Sequence, residues 1–153
     1  MREPLLVIHI LSVIIWLGCG LYELFLAREM KRARGSHLEL ELTRIYLKYA
    51  APVPVATLLV AATGATMAVV LEWGFFQQFW LGMKQGLMVA VLIIFASVVP
   101  PFIKLQKIVE TLPESATTLP AEAASIFDKI EPWLVVMRAM GAVAVIFAVF
   151  KFG

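Results

Sequence analysis

Long apolar runs, each closed off by charge or by proline, set the pattern of this chain. The first reads from Leu5 to Ala27, and four spans follow from the whole pattern, at about 4–28, 50–72, 80–103 and 132–151. A helix of about 20 apolar residues crosses the hydrocarbon of a bilayer, so each run predicts a transmembrane helix. Short connections make consecutive helices antiparallel neighbours. The expected architecture is an all-α integral membrane protein, a four-helix up-down bundle that forms a single transmembrane domain over residues 1–153. The pattern holds no internal repeat and no second domain.

Polar positions refine this picture. In the first run His9, Trp16 and Glu23 are spaced by seven, which on a helix drifts only about 20° per step. They therefore share one face, and that face should look into the bundle. An ionisable group at membrane depth is expensive and is a functional candidate by default. The helix is expected to continue through Arg34 and to stop at Gly35, a good C-cap residue. Arg2 precedes the run, but no small-x-small cleavage site follows, so the segment reads as a retained helix rather than a removed leader. The second run opens with Pro52 and Pro54 and carries Thr57, Thr63, Gly64 and Thr66, small residues that let helices approach closely. Pro100-Pro101 predicts a kink or a stop in the third. Residues 104–131 read as an amphipathic inner connection, broken by Pro113 and Pro120. A short helix at Ala121 to Ile130 is expected there, with Ile126, Phe127 and Ile130 toward the membrane surface.

Composition agrees with the pattern. Of 153 residues 61% are hydrophobic, and the mean hydropathy is +0.90, values that exclude a soluble domain of this length. The net charge of +2 carries no nucleic-acid signature, and the lipid bilayer is the partner the composition does imply. Position matters more than total: Arg28, Lys31, Arg32, Arg34, Arg44 and Lys48 crowd into the first connection, against Arg2, Lys84 and Lys151 on the other side. The positive-inside rule then puts that connection in the cytoplasm and both termini on the outer, periplasmic side. The location expected is the bacterial inner (plasma) membrane, as a multi-pass protein. Trp73 and Trp80 flank the short outer turn and Trp133 sits at the inner start of the fourth span, where interfacial aromatics belong. The single cysteine, Cys19, excludes an intrachain disulfide and any Cys-based metal site within one chain. Beside Gly18 and Gly20 it reads as a small packing residue.

Four side chains carry the candidate chemistry. His9, about one and a half turns inside the outer boundary, suits axial ligation of haem iron or a hydrogen bond that holds helices together. Lys84 lies at a similar depth on the third span. It either snorkels to the headgroups or points inward, to bind a carboxylate such as a porphyrin propionate or to act as a ligand itself. Glu23 and Arg138 share an inner depth on the first and last spans. As an ion pair they would lower each other's desolvation cost; otherwise both reach separately for the inner headgroups, and a proton-relay role for Glu23 is a third reading. His37 would lie roughly 40 Å from His9 along a helix, so the two cannot share one iron. Met67, Met83 and Met88 are available as a second axial ligand and are also ordinary helix filling. Trp16 and Tyr22 suit packing, stacking on a macrocycle or the lining of a quinone cleft.

His9 followed by Ile15-Trp16-Leu17-Gly18, Lys84 early in the third span, and Arg138-x-x-Gly141 in the last together resemble one group of small four-helix membrane proteins. The group comprises the DUF2269-type proteins, the CopD-like domains and the HemJ-type protoporphyrinogen oxidases, and the resemblance runs in span order over nearly the whole chain. It implies a b-type haem with His9 as the metal ligand, Trp16 packed on the ring, and Lys84 as the second functional residue, binding cofactor or acting in catalysis. The implied activity is oxidation of a tetrapyrrole such as protoporphyrinogen, or electron exchange with quinone. Glu23 and the following Leu-Phe-Leu-Ala-Arg depart from the HemJ continuation, and the last span is closer to the DUF2269 type. A reading from another class is a non-catalytic accessory subunit of a larger respiratory or photosynthetic membrane complex, or a homo-oligomer. Copper handling, a third, wants clusters of His and Met that the outer loops do not offer.

Overall fold

The computed structural model describes residues 2–150, without the side chain of Arg2. The side chain of Arg2 and Lys151, both counted above on the outer side, lie outside the described residues. Five helices follow in order: α1 Arg2–Arg32, α2 His37–Ala50, α3 Pro52–Val70, α4 Phe79–Glu110 and α5 Ala121–Phe150. No strand occurs among the described residues. Four helical stretches are long and apolar enough to cross a membrane: α1, α2 with α3, α4 and α5. The protein is an all-helical, four-helix membrane bundle.

Helix boundaries differ from the sequence reading in several places. α1 ends at Arg32, and the chain turns through Gly35, whose φ of +77° suits glycine. α2 was not anticipated. Its buried positions Glu39, Leu40, Thr43, Tyr46, Leu47 and Ala50 fall on one helical face. Ser36 precedes it in extended conformation and Glu39 reaches back to accept the Gly35 N–H at 2.6 Å, a variant of the capping box. α4 runs past Pro100 and Pro101 to Glu110 instead of stopping. The expected short helix at Ala121–Ile130 is the opening of α5, which continues through Pro132. Phe127 and Ile130 are buried in protein, not turned to the membrane surface, and Trp133 sits inside the helix rather than at its start. Each proline deprives one carbonyl four residues back of its donor; contacts with neighbouring helices keep the rest of the turn in place.

The bundle is two helix pairs, α1 with α3 and α4 with α5, and α2 lies along α1. The pairs meet chiefly through α1 and α5. α3 and α4, although joined by the 71–78 loop, are not among the packed pairs, so the ring of helices is open there. Packing is uneven along the bundle axis. At the charged end Met30, Leu40, Tyr46, Leu105 and Phe127 form a continuous core drawn from α1, α2, α4 and α5, with Tyr46 edge-on to Phe127 at 5.4 Å between centroids. Ion pairs rim that core: Lys31–Glu131 at 2.9 Å, Arg34–Asp128 at 2.6 Å and Lys104–Glu122 at 2.6 Å. A smaller layer of Trp16, Ala56, Val91 and Met137 crosses the middle of the bundle. Beyond it, toward the 71–78 loop, the helix pairs part.

Candidate functional site

The space between the parted helices is a cleft of about 870 Å³, lined by residues from α1, α3, α4, α5 and the 71–78 loop. Its floor is the layer around Trp16, which is buried. Trp16 fits there because Gly141 of α5 faces it: a Cβ at that position would fall 2.5 Å from Trp16 Cζ3. One turn further along α1 the exchange is reversed. Gly20 makes room for Arg138 of α5, whose Nε would come within 2.9 Å of a Cβ there. Each helix thus offers one bulky side chain and one glycine. Arg138 goes on to pair with the buried carboxylate of Glu23. Two opposite charges taken out of water together compensate each other, where either alone would be an uncompensated buried charge. Glu23, Arg138, Gly20, Trp16 and Gly141 form the joint between the two halves of the molecule.

His9 rises above this floor from α1. Its Nδ1 lies 2.8 Å from the Thr63 hydroxyl of α3. That hydroxyl has one proton, which it donates to the Leu59 carbonyl at 2.5 Å, so towards His9 it can only accept. Assigned from this network, the imidazole carries its proton on Nδ1 and donates it to Thr63. Nε2 has no hydrogen-bond partner among the described residues, and the ring lines the cleft. Gly64, next along α3, keeps its surface flat against the ring: a Cβ there would sit 3.5 Å from His9 Cε1, an ordinary contact.

Lys84 enters the same cleft from α4. Its ammonium lies 5.6 Å from the centroid of the Trp80 ring, a cation–π distance, and it shares the cleft with His9. No carboxylate among the described residues pairs with it. The loop that roofs the cleft contributes Trp73, Phe75, Phe76 and Gln78. Gln85 holds this roof by accepting the Phe76 N–H at 2.7 Å and donating to the Gly74 carbonyl at 3.3 Å. Glu72 and Phe76 adopt φ of 55° and 58°, conformations that side-chain-bearing residues rarely take without such fastening.

The structure therefore brings His9, Trp16 and Lys84 to one cleft and sets Glu23 and Arg138 beneath it. Met67 and Met88 also line the cleft; Met83 does not, and Met140, not singled out from the sequence, does. Tyr22 is elsewhere, edge-on to Tyr49 at 5.9 Å on an exposed face. His37 is exposed at the start of α2. Thr63, Gly20 and Gln85 are the residues whose parts the sequence reading missed. For Thr63 a signal existed, since it stands among the small, weakly polar residues of the second run, next to Gly64. Among the described residues no group of three or more His, Cys, Asp or Glu side chains comes together as a metal cage.

Comparison with curated proteins and with solved structures finds no match. A family model does match, over residues 3–151, and its members are described as predicted integral membrane proteins. The chain, with its four membrane-crossing helical stretches, belongs to the DUF2269 family.

Proposed function

We propose that the cleft is a haem b site and that the protein is a redox-active membrane protein. The observation that carries this reading is His9, whose Nδ1 is committed to Thr63 while Nε2 stands unpartnered at a cleft of about 870 Å³. A histidine that ligates a metal through one nitrogen almost always gives its other N–H to an acceptor, which fixes the tautomer and orients the ring. The remaining features fit. The volume lies within the ~300–1,000 Å³ range of small-molecule sites, and the lining is mostly apolar with a few polar groups, as such sites require. Trp16 gives the cleft an aromatic floor, Lys84 offers a cation for a carboxylate, and the thioethers of Met67, Met88 and Met140 are within the same cleft. When bound, a b-type haem would supply one-electron redox chemistry, tuned by its axial ligands and the burial around it. The residues of this chain would hold it, keep His9 in one tautomer, exclude water from below and neutralise acid groups at Lys84. The resemblance of His9, Lys84 and Arg138-x-x-Gly141 to HemJ-type proteins supports the same reading, with a tetrapyrrole or quinol as electron donor. By the positive-inside rule the cleft would open toward the outer side of a bacterial inner membrane.

The test is visible spectroscopy of protein purified after haem-replete expression. A Soret band is expected, with a reduced-minus-oxidised difference in the α-band region, and both should vanish in His9→Ala. A wild-type protein without a Soret band, or a His9→Ala variant that retains it unchanged, overturns the proposal.

A further inference from the structure

We infer that the cleft binds a carboxylate-headed amphiphile that reaches it sideways from the bilayer, with Lys84 as the head-group site. This rests on the cleft assigned above but not on iron, and a haem propionate and the amphiphile's carboxylate would compete for Lys84. Three observations carry it. First, Lys84 is a cation inside an apolar cleft, facing a Trp80 ring and no carboxylate of the described residues. A cation at membrane depth is normally paired or faces water, and a charge-assisted bond to a ligand carboxylate is the stronger way to meet that need. Second, the cleft has open flanks. Leu6, Ile10 and Ile14 of α1, Val89 of α4 and Val145 of α5 line it and are at the same time exposed, at 43, 47, 59, 51 and 37%. On membrane-spanning helices such exposure faces acyl chains. Third, the end of the cleft away from the floor is roofed by an aromatic loop that Gln85 fastens from below. The apolar lining is thus exposed on both flanks, at the gap between α3 and α4 and at the parted tips of α1 and α5, at the level of the lipid tails. An acid with a long apolar body fits both ends of this arrangement: its tail stays in surroundings like those it left, and its head meets the one cation there.

The experiment uses the full chain in nanodiscs of phosphatidylcholine containing a trace of a diazirine-bearing C18 fatty acid as photoprobe, with labelled peptides mapped by mass spectrometry. Labelling is expected at cleft positions of α1, α4 and α5. Oleate should compete for it and methyl oleate should not. Lys84→Met should weaken competition by oleate about tenfold, while Lys84→Arg, which keeps the charge, should preserve it. Val145→Trp and Val89→Trp, which narrow the two flanks, should together slow the onset of labelling. Labelling spread evenly over all lipid-facing surfaces without competition overturns the inference, as does equal competition by methyl oleate. A lysophosphatidate that competes far better than oleate overturns the choice of a carboxylate head. The same protocol on His9→Ala separates the two proposals: loss of the Soret band with competition intact or strengthened supports both, and intact competition in a wild type that never shows a Soret band leaves only this one standing.

Discussion

Trp16 of α1 sits over Gly141 of α5 so closely that a single added carbon at position 141 would fall 2.5 Å from Cζ3 and 2.8 Å from Cη2 of its ring. Gly141→Ala must therefore push the indole aside or part the helices. Overpacking of this kind costs about 1–3 kcal/mol. A lower unfolding temperature in detergent is expected, together with a shift in tryptophan emission as the ring moves. Gly64→Ala is the control, since a Cβ there meets His9 only at 3.5 Å, and it should leave both readings unchanged. Equal stability of the two variants would refute the interlock.

The pair of Glu23 and Arg138 predicts a thermodynamic cycle with a large coupling. Removing one partner from a buried pair strands the other and costs about 3–5 kcal/mol. Glu23→Leu and Arg138→Met should each destabilise by an amount in that range, and the double variant by clearly less than their sum. Thermal or denaturant unfolding in mixed micelles measures it. Additive losses would mean that the two groups do not depend on each other.

If the cleft holds haem as proposed, Thr63 should act on it only through His9. Thr63→Val removes the acceptor of the Nδ1–H while keeping the shape of the side chain, and lost partners of this kind typically cost about 10–100-fold in metal affinity. Thr63→Ser keeps the hydroxyl and should behave like the wild type. The readout is the rate at which bound haem transfers to an apoglobin acceptor. Identical rates in all three proteins would remove Thr63 from the account.

At the charged end, two contacts of Arg34 should separate by burial. Its pair with Asp128 joins side chains that are 40 and 46% exposed, and exposed pairs are worth about 1 kcal/mol or less and weaken with salt. Glu39, which meets the same Arg34 at 3.4 Å, is buried and also holds the Gly35 N–H. Asp128→Asn should therefore have a small, salt-sensitive effect, and Glu39→Ala a larger one that loosens α2, visible as faster amide exchange over residues 37–50. The reverse order would contradict the assigned capping role.

Why some of this was legible from the chain and some was not follows from the kind of signal each part gives. The membrane spans announce themselves, because lipid requires about 20 apolar residues in a row, and the seven-residue spacing of His9, Trp16 and Glu23 marks one face without knowledge of any neighbour. α2 escaped because its charges, Glu39, Glu41, Arg44 and Lys48, drew the eye away from a buried face whose members include Glu39 itself. Pro100 and Pro101 do not stop α4, nor Pro132 interrupt α5, because packing against another helix outweighs three missing hydrogen bonds. Phe127 and Ile130 were read toward the membrane surface because the layer that covers them, built on Tyr46 and Leu105, comes from distant parts of the chain. The same holds for the site. Candidate side chains can be named one at a time, whereas the Thr63 acceptor and the reciprocal glycines exist only as pairs.

Among the described residues the tight joints between one helix pair and the other, Trp16 on Gly141 and Arg138 on Gly20 and Glu23, lie at the level of Trp16 or on the charged side of it, while on the far side the 71–78 segment tethers the tip of α3 to that of α4. Aperture and foldedness are thereby controlled by different parts of the chain. Adding or deleting residues in the tether would retune how wide the mouth stands, with the anchoring base left as it is.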